Sequence, residues 1–170
     1  HSQRIFDTMS RLKFAILGCG KIAPRHATEI KKHGELIAVC DIIPEKADQL
    51  AKEFGAKAFY HPDELYKNSS AIDVVAVCTP NGLHTEHSIT ALLYGAHVLC
   101  EKPLSISATD GRRMIEVAEK TGKKLFVVKS TRYNPAIAAL KMALDEKKMG
   151  QLYSFQLNCF WNRPTAYYAG

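Results

Sequence analysis

The sequence predicts a doubly wound α/β fold, a parallel sheet with helices on both faces, followed by the first helix and strand of an α+β domain. Short apolar runs alternate with amphipathic segments from residue 12 to residue 128, which is typical of consecutive βαβ units. Two runs, 74–77 and 125–128, are apolar at every position, as strands buried on both faces should be. We therefore expect one domain over 11–129 and part of a second over 130–170.

Six apolar runs are the predicted strands of the sheet. They cover residues 12–17, 36–41, 56–60, 73–78, 97–100 and 125–129. Apolar residues at i, i+3 and i+4 spacing between them, such as Ile89, Leu92 and Leu93, predict helices. The third unit is shorter, with a single helical turn expected after Pro62.

A glycine-rich turn joins the first strand to the first helix and reads GCGKIA over residues 18–23. Gly18 permits the tight turn, Gly20 lets a pyrophosphate approach the backbone, and Ala23 allows close packing of helix on strand. The N–H groups at the start of the helix then favour negative charge. The pattern predicts a Rossmann-type dinucleotide site that Gly18, Gly20, Lys21 and Ile22 contact.

Asp41 ends the second predicted strand, 21 residues after Gly20. A carboxylate at this position can accept hydrogen bonds from both hydroxyls of an adenosine ribose, and it would repel the additional phosphate of NADP. NAD is therefore the favoured cofactor, with NADP not excluded. The alternative is that Asp41 only caps the helix that begins near Pro44.

Charge and apolar content argue against two classes of partner. The net charge is +6, but lysine pairs such as Lys31-Lys32 and Lys123-Lys124 fall at predicted helix ends, where cations complement the helix dipole. We therefore expect no nucleic acid, although a basic surface suits an anionic small substrate. No apolar run approaches the roughly 20 residues that span a bilayer, so no membrane is expected.

The five cysteines lack a C-x-x-C pair and are expected to be small buried hydrophobic residues in a reducing compartment, the cytoplasm. Cys19 has no nearby base and is not expected to act as a nucleophile. The polar residues 1–10 suggest a tag remnant before a native start near Met9.

The pattern changes after residue 129. Ile137, Leu140 and Leu144 mark an amphipathic helix that Gly150 is expected to close. From Leu152 to Cys159 apolar and polar residues alternate, which predicts a strand with one wet face. A lone strand is unstable, so we expect the chain to stop early in a second, antiparallel domain.

Two more loops follow strands at the carboxyl edge of the sheet, TPNGLH at 79–84 and EKPL at 101–104. Ligands bind at this edge in open α/β folds. With GCGKIA at 18–23 and RYNP at 132–135, the loops resemble those of the glucose-fructose oxidoreductase, inositol dehydrogenase and rhizopine-catabolism family (Gfo/Idh/MocA). The resemblance covers nearly the whole chain.

The resemblance implies an oxidoreductase that moves hydride between a nicotinamide and a hydroxyl-bearing carbon of a sugar or cyclitol. It implies that Thr79, Pro80, Asn81 and His84 line the cofactor. It also implies that Glu101 and Lys102 hold the nicotinamide ribose, with Lys102 reaching the reacting hydroxyl as the catalytic residue and Pro103 in a cis bond. The alternative is that Lys102 is a surface lysine before a turn.

The segment KSTRYNP at 129–135 resembles the K-Q-N-R-(F/Y)-N-P loop of nucleotide-sugar 3-dehydrogenases, with two substitutions. The substrate residues expected from this loop and from the later aromatic segment are Lys129, Arg132, Asn134, Trp161 and Arg163. Such aromatic and basic side chains could stack on and pair with a uracil diphosphate sugar. Packing between domains is the alternative for the aromatic residues.

Relatives of this kind also use an Asp and a His a few residues apart in the second domain, and no such pair follows Arg132. We therefore expect the 170-residue chain to bind dinucleotide weakly or partly and not to turn over. A non-catalytic dinucleotide-binding sensor is the alternative function. The family resemblance implies a homodimer or homotetramer for the complete protein.

Three histidines lie in or near the predicted helices that follow the motif loops. His84 and His87 lie three residues apart, but no third ligand has suitable spacing, so no metal is expected. His87 is expected to be an ordinary helix residue. His26, in the first helix, is expected to be a packing or surface residue.

Overall fold

The computed structural model describes residues 11–68 and 71–165. The strands are β1 Lys13–Leu17, β2 Glu35–Cys40, β3 Lys57–Phe59, β4 Val74–Val77, β5 His97–Cys100 and β6 Leu125–Val127. The helices are α1 Ala23–His33, α2 Pro44–Phe54, α3 Pro62–Asn68, α4 His84–Leu93, α5 Ala108–Thr121 and α6 Pro135–Asp145. Short 3₁₀ turns cover Asn81–Leu83 and Ser130–Tyr133.

The six strands form one sheet in the order β3-β2-β1-β4-β5-β6, and every neighbouring pair is parallel. This order confirms the predicted doubly wound fold. In β1, Ile16 and Leu17 point to opposite faces, where they join separate hydrophobic clusters. One cluster includes residues of α1 and α2, and the other includes residues of α3, α4 and α5. Helices therefore cover both faces of the sheet.

Small residues bring α1 and α2 close to the sheet. Ala23, Ala27 and Ala47 are fully buried, and they pack in the same cluster as Ile16 and Val39. An alanine on the inner face lets the helix backbone approach the strands, as Ala23 was expected to do. The start of α1 is thereby fixed directly after β1.

The chain divides into two units between Lys129 and Ser130. The described part of the second unit contains the turn Ser130–Tyr133 and α6. Across residues 11–68 and 71–165, no helix has the length and apolar character needed to cross a bilayer.

Three details differ from the sequence prediction. The expected strand over 152–159 does not form, because a strand needs a hydrogen-bonded neighbour and no described segment pairs with it. The helix α6 ends at Asp145, and Gly150 lies beyond it with a φ of 64°. The helix after β3 is seven residues long, about two turns instead of one.

Candidate active site at the carboxyl edge of the sheet

The three motif loops leave adjacent strands at the same level of the sheet. Leu17 of β1 pairs with Val77 of β4, and Val77 pairs with Cys100 of β5. Since parallel strands in register end together, the turns that follow them lie side by side. The sheet therefore brings residues 18–22, 78–83 and 101–104 to one edge.

Gly18 is the point where the glycine-rich turn touches the loop after β4. Its φ is +94°, and a Cβ built on it would lie 2.7 Å from both the carbonyl carbon of Cys78 and the nitrogen of Thr79. Its N–H donates to the Cys40 carbonyl at 2.8 Å. Both the backbone conformation and the available space require glycine at this position.

Gly20 is different, because a Cβ built on it would meet no heavy atom within 4 Å. The protein itself therefore places no steric demand for glycine here. The helix α1 begins three residues later with no side-chain cap hydrogen bond and no acidic residue in its first turn. An open backbone before an uncapped helix start is the arrangement that holds a pyrophosphate, so these residues fit a dinucleotide.

Asp41 joins two of the elements that surround the turn. One oxygen of its carboxylate accepts from the Cys19 N–H at 2.7 Å, and the other accepts from the Ile43 N–H at 2.9 Å. Ile43 is the residue before α2, so Asp41 does support the start of that helix. Each carboxylate oxygen can accept more than one hydrogen bond, which leaves capacity for ribose hydroxyls.

A cavity of about 610 Å³ lies at this edge, a volume typical of small-molecule sites. Five of the expected cofactor residues line it: Gly18, Gly20, Asp41, Thr79 and Pro80. The other expected cofactor residues do not line this cavity: Lys21, Ile22, Asn81, His84, Glu101 and Lys102. The cavity therefore covers the Asp41 side of the edge.

His87 also lines the cavity. Its Nδ1 lies 3.0 Å from the Thr79 hydroxyl, and burial lowers the pKa of the imidazole below its usual value. A neutral imidazole can hold the Thr79 hydroxyl in place without adding charge to the cavity. Apart from the helical position of His87, nothing in the sequence pattern indicates this contact.

His84 is almost fully buried, with 1% of its surface exposed. Its Nδ1 lies 2.7 Å from the Pro103 carbonyl, and its Nε2 lies 2.8 Å from the Thr79 carbonyl. Both ring nitrogens therefore face protein carbonyls, and a contact of His84 with the cofactor stays a prediction. His84 ties the loop after β4 to the loop after β5.

Replacing His84 with alanine is expected to lower the free energy of unfolding by about 2–4 kcal/mol, because a buried ring is lost and a carbonyl that accepts from its N–H loses its partner. Urea denaturation followed by circular dichroism measures the change. The matched control is His33→Ala at an exposed position at the end of α1. A loss no larger than that of the control would contradict the bridging role of His84.

Glu101 is buried, with 8% of its surface exposed. One carboxylate oxygen lies 2.8 Å from Nε2 of His26, and the other accepts from the Lys102 N–H at 3.1 Å. His26 is expected to be a packing or surface residue, and the structure adds a hydrogen-bonded contact with Glu101. Its position in the first turn of α1, directly after the glycine-rich turn, was the available signal.

Lys102 follows Glu101 with an exposed side chain, and the Lys102–Pro103 bond is cis. The cis bond implied by the family resemblance is confirmed. Lys102 thus lies at the carboxyl end of β5, beside the β4 loop that carries Thr79. An ammonium group at this edge can stabilise an oxygen that loses its proton.

The cysteines near the site are unreactive by environment. Burial raises the pKa of the Cys19 and Cys40 thiols to about 12, and it also raises the pKa of Cys78 and Cys100. Thiols in this state do not form the nucleophilic thiolate. The expectation that Cys19 is not a nucleophile agrees with this environment.

We expect one of the five thiols to react quickly with Ellman's reagent at pH 8. Cys159 is exposed and the other four are buried. Absorbance at 412 nm follows the reaction, and the remaining thiols should appear only after addition of guanidinium. A fast phase that survives the Cys159→Ser change would contradict the burial of the cysteines at the sheet edge.

The residues expected to contact substrate lie at the unit boundary or in the second unit. Lys129 and Arg132 are exposed, and the Asn134 side chain accepts from the Ala136 N–H at 3.0 Å, which caps α6. The guanidinium of Arg163 lies 4.2 Å from the centre of the Trp161 ring. The structure thus gives Asn134 a capping role and pairs Trp161 with Arg163.

Comparison with known proteins gives consistent matches. The model of the oxidoreductase family with an NAD-binding Rossmann fold (Gfo/Idh/MocA) matches residues 12–129. Glucose-6-phosphate 3-dehydrogenase of Bacillus subtilis is 34% identical over 148 residues, which are 86% of this chain and 41% of that protein.

Two similar solved structures are WlbA dehydrogenases in complex with NADH and UDP-GlcNAcA. The protein from Chromobacterium violaceum is 38% identical with a TM-score of 0.90, covering 95% of this chain and 48% of that one. The protein from Bordetella pertussis is 32% identical with a TM-score of 0.89, covering 94% and 47%. The chain spans less than half the length of these three proteins.

The matched family model covers the whole sheet and all three strand-end loops that form the site. Its NAD-binding fold agrees with the open Gly20 backbone and with the position of Asp41. The chain belongs to the Gfo/Idh/MocA family of oxidoreductases, and its first unit is their NAD-binding Rossmann domain.

Proposed function

We propose that the complete protein is an NAD-dependent oxidoreductase that oxidises or reduces a hydroxyl-bearing carbon of a sugar, cyclitol or nucleotide sugar. The observation that carries the proposal is the convergence of Gly18, Gly20, Asp41 and Thr79 on one cavity. Lys102 lies on the loop after β5, the strand next to β4 in the sheet.

Each of these residues has a role in the proposed reaction. The backbone at Gly20 and the start of α1 hold the pyrophosphate, and Asp41 binds the adenosine ribose. The nicotinamide, when bound, accepts or donates the hydride. Lys102 holds its ammonium group near the reacting hydroxyl, where it stabilises the oxygen as the proton leaves.

Binding of NADH is expected to be at least about tenfold tighter than binding of NADPH, because the Asp41 carboxylate would face the additional phosphate. Isothermal titration calorimetry of the chain with each nucleotide measures the ratio. Equal affinities, or tighter binding of NADPH, would contradict the role of Asp41.

For the substrate we propose a UDP-linked sugar oxidised at carbon 3. Support comes from the KSTRYNP segment and from the similarity to two proteins crystallised with UDP-GlcNAcA. The residues proposed to contact it are Lys129, Arg132, Asn134, Trp161 and Arg163. Basic and aromatic side chains suit a diphosphate and a uracil ring.

The test is turnover by the complete protein, followed by NADH fluorescence with a panel of substrates. UDP-GlcNAcA should be oxidised with a higher kcat/KM than glucose 6-phosphate or myo-inositol. A preference for either of those compounds would contradict the proposed substrate but not the proposed reaction. NADH binding without turnover of any of these compounds would favour the alternative function, a non-catalytic dinucleotide-binding sensor.

We also propose that the chain from Ser130 onward begins a substrate and oligomerisation domain, and that the complete protein is a cytoplasmic homodimer or homotetramer. Tyr153, Phe155 and Trp161 are each at least 70% exposed, an unusual concentration of apolar surface. Light scattering of the complete protein tests the assembly, and a monomer at micromolar concentration would contradict it.

A further inference from the structure

We propose that His26 is a positioning residue of this site, which donates a hydrogen bond to the buried Glu101 carboxylate and so holds the Lys102 loop against the cofactor-binding helix. The inference rests on the proposed function and deepens it. It concerns a residue that no sequence motif marked, in the helix that follows the glycine-rich turn.

His26 and Glu101 form a buried, hydrogen-bonded pair. Nε2 of His26 lies 2.8 Å from the Glu101 carboxylate, and the two side chains are only 12% and 11% exposed. The other carboxylate oxygen accepts from the Lys102 N–H. A carboxylate has no proton to give, so an ionised Glu101 requires the proton on Nε2 of His26.

Because Glu101 is buried, its carboxylate depends on the hydrogen bond from His26. An ionised carboxylate removed from water is unfavourable unless donors compensate it. Two other titratable groups near the Glu101 carboxylate are Cys78 after β4 and Cys100 at the end of β5. Burial raises the pKa of both thiols, so they stay neutral and add no second negative charge beside Glu101.

The pair also lies where the cofactor brings negative charge. His26 is in the first turn of α1, the helix whose start would receive the pyrophosphate. A Glu101 carboxylate without its partner would repel the phosphates and would be free to turn away from α1. Its hydrogen bond to the Lys102 N–H would then no longer fix the lysine relative to the turn.

The test is a double-mutant cycle on NADH affinity, measured by calorimetry with the 170-residue chain. His26→Leu is expected to weaken NADH binding about tenfold or more, because Glu101 keeps its charge and loses its partner. His26→Gln, which retains a donor near the Nε2 position, should stay within about threefold of wild type. His33→Leu is the exposed control on the same helix.

Glu101→Gln removes the charge, and its own NADH affinity is the reference for the double variant, since a neutral amide can bond to either ring tautomer. In the His26→Leu background, Glu101→Gln should restore most of the lost affinity. A histidine that served only as packing would give a double variant as weak as His26→Leu.

Stability must be followed in parallel by thermal unfolding. If His26→Leu does not fold, folding of the double variant supports the pairing, and failure of the double variant overturns it. A wild-type chain that binds no NADH would overturn this inference, whereas turnover by the complete protein tests the proposed function separately. A wild type that binds NADH as tightly as His26→Leu does would overturn the inference alone.

Discussion

Replacing Lys102 with methionine is expected to reduce the kcat of the complete protein by about 10³-fold, within the range that positioned acid–base groups contribute. Methionine retains the length of the side chain and removes the ammonium group. Because Lys102 lies on an exposed loop and its neighbour Glu101 makes the buried contacts, the fold and NADH affinity should change little. Stopped-flow measurement of NADH formation separates the chemical step from product release.

Lys120→Met is the matched control, since Lys120 is exposed in the last turn of α5. Its kcat should equal that of wild type. A Lys102→Met protein that retains more than a tenth of wild-type kcat would contradict the catalytic assignment. Loss of NADH binding together with turnover would instead indicate that Lys102 acts mainly on the cofactor.

Replacing Gly18 with alanine is expected to lower the free energy of unfolding by about 3 kcal/mol or more. An alanine at this φ is strained by about 1–3 kcal/mol, and overpacking adds a similar amount. The new methyl group would overlap the backbone of Cys78 and Thr79 at 2.7 Å, and neither segment can rotate away as a side chain can. Chemical denaturation of the purified chain measures the loss.

The Gly20→Ala variant makes the comparison specific. A Cβ there meets no protein atom within 4 Å, so stability should stay within about 1 kcal/mol of wild type. NADH affinity should nevertheless fall about tenfold or more, because the methyl group occupies the path of the pyrophosphate. Gly18 would then be required by the fold and Gly20 by the ligand, although both belong to one motif. Equal stability losses in both variants would contradict this division.

The sheet could be predicted because its central strands, such as β4, are buried on both faces and stand out as apolar runs. The run 125–128 does not meet this expectation, because β6 is an edge strand and Phe126 is 57% exposed. All six strands lie where those runs occur, within two residues at each end. The positions of Gly18, Asp41 and Thr79 at one edge follow from the same pattern, since each lies at the end of a predicted strand or directly after it. Local sequence was sufficient wherever a residue's role depends on the strand that precedes it.

The histidines show what local sequence does not contain. His26 meets Glu101 across 75 residues of chain, and His84 meets Pro103 across 19. Their roles depend on which helix packs above which loop, and a helical position alone does not specify the partner. The alternating segment 152–159 shows the same limit, because period-two alternation does not specify the neighbour that a strand requires.

A crystal structure of this chain with NADH tests the central claim most directly. We expect the pyrophosphate on the backbone of residues 18–22, the adenosine ribose on Asp41, and the nicotinamide beside the Glu101–Lys102–Pro103 loop. Density for the nucleotide away from the glycine-rich turn would contradict it, and so would a nicotinamide bound beyond the reach of the Lys102 side chain.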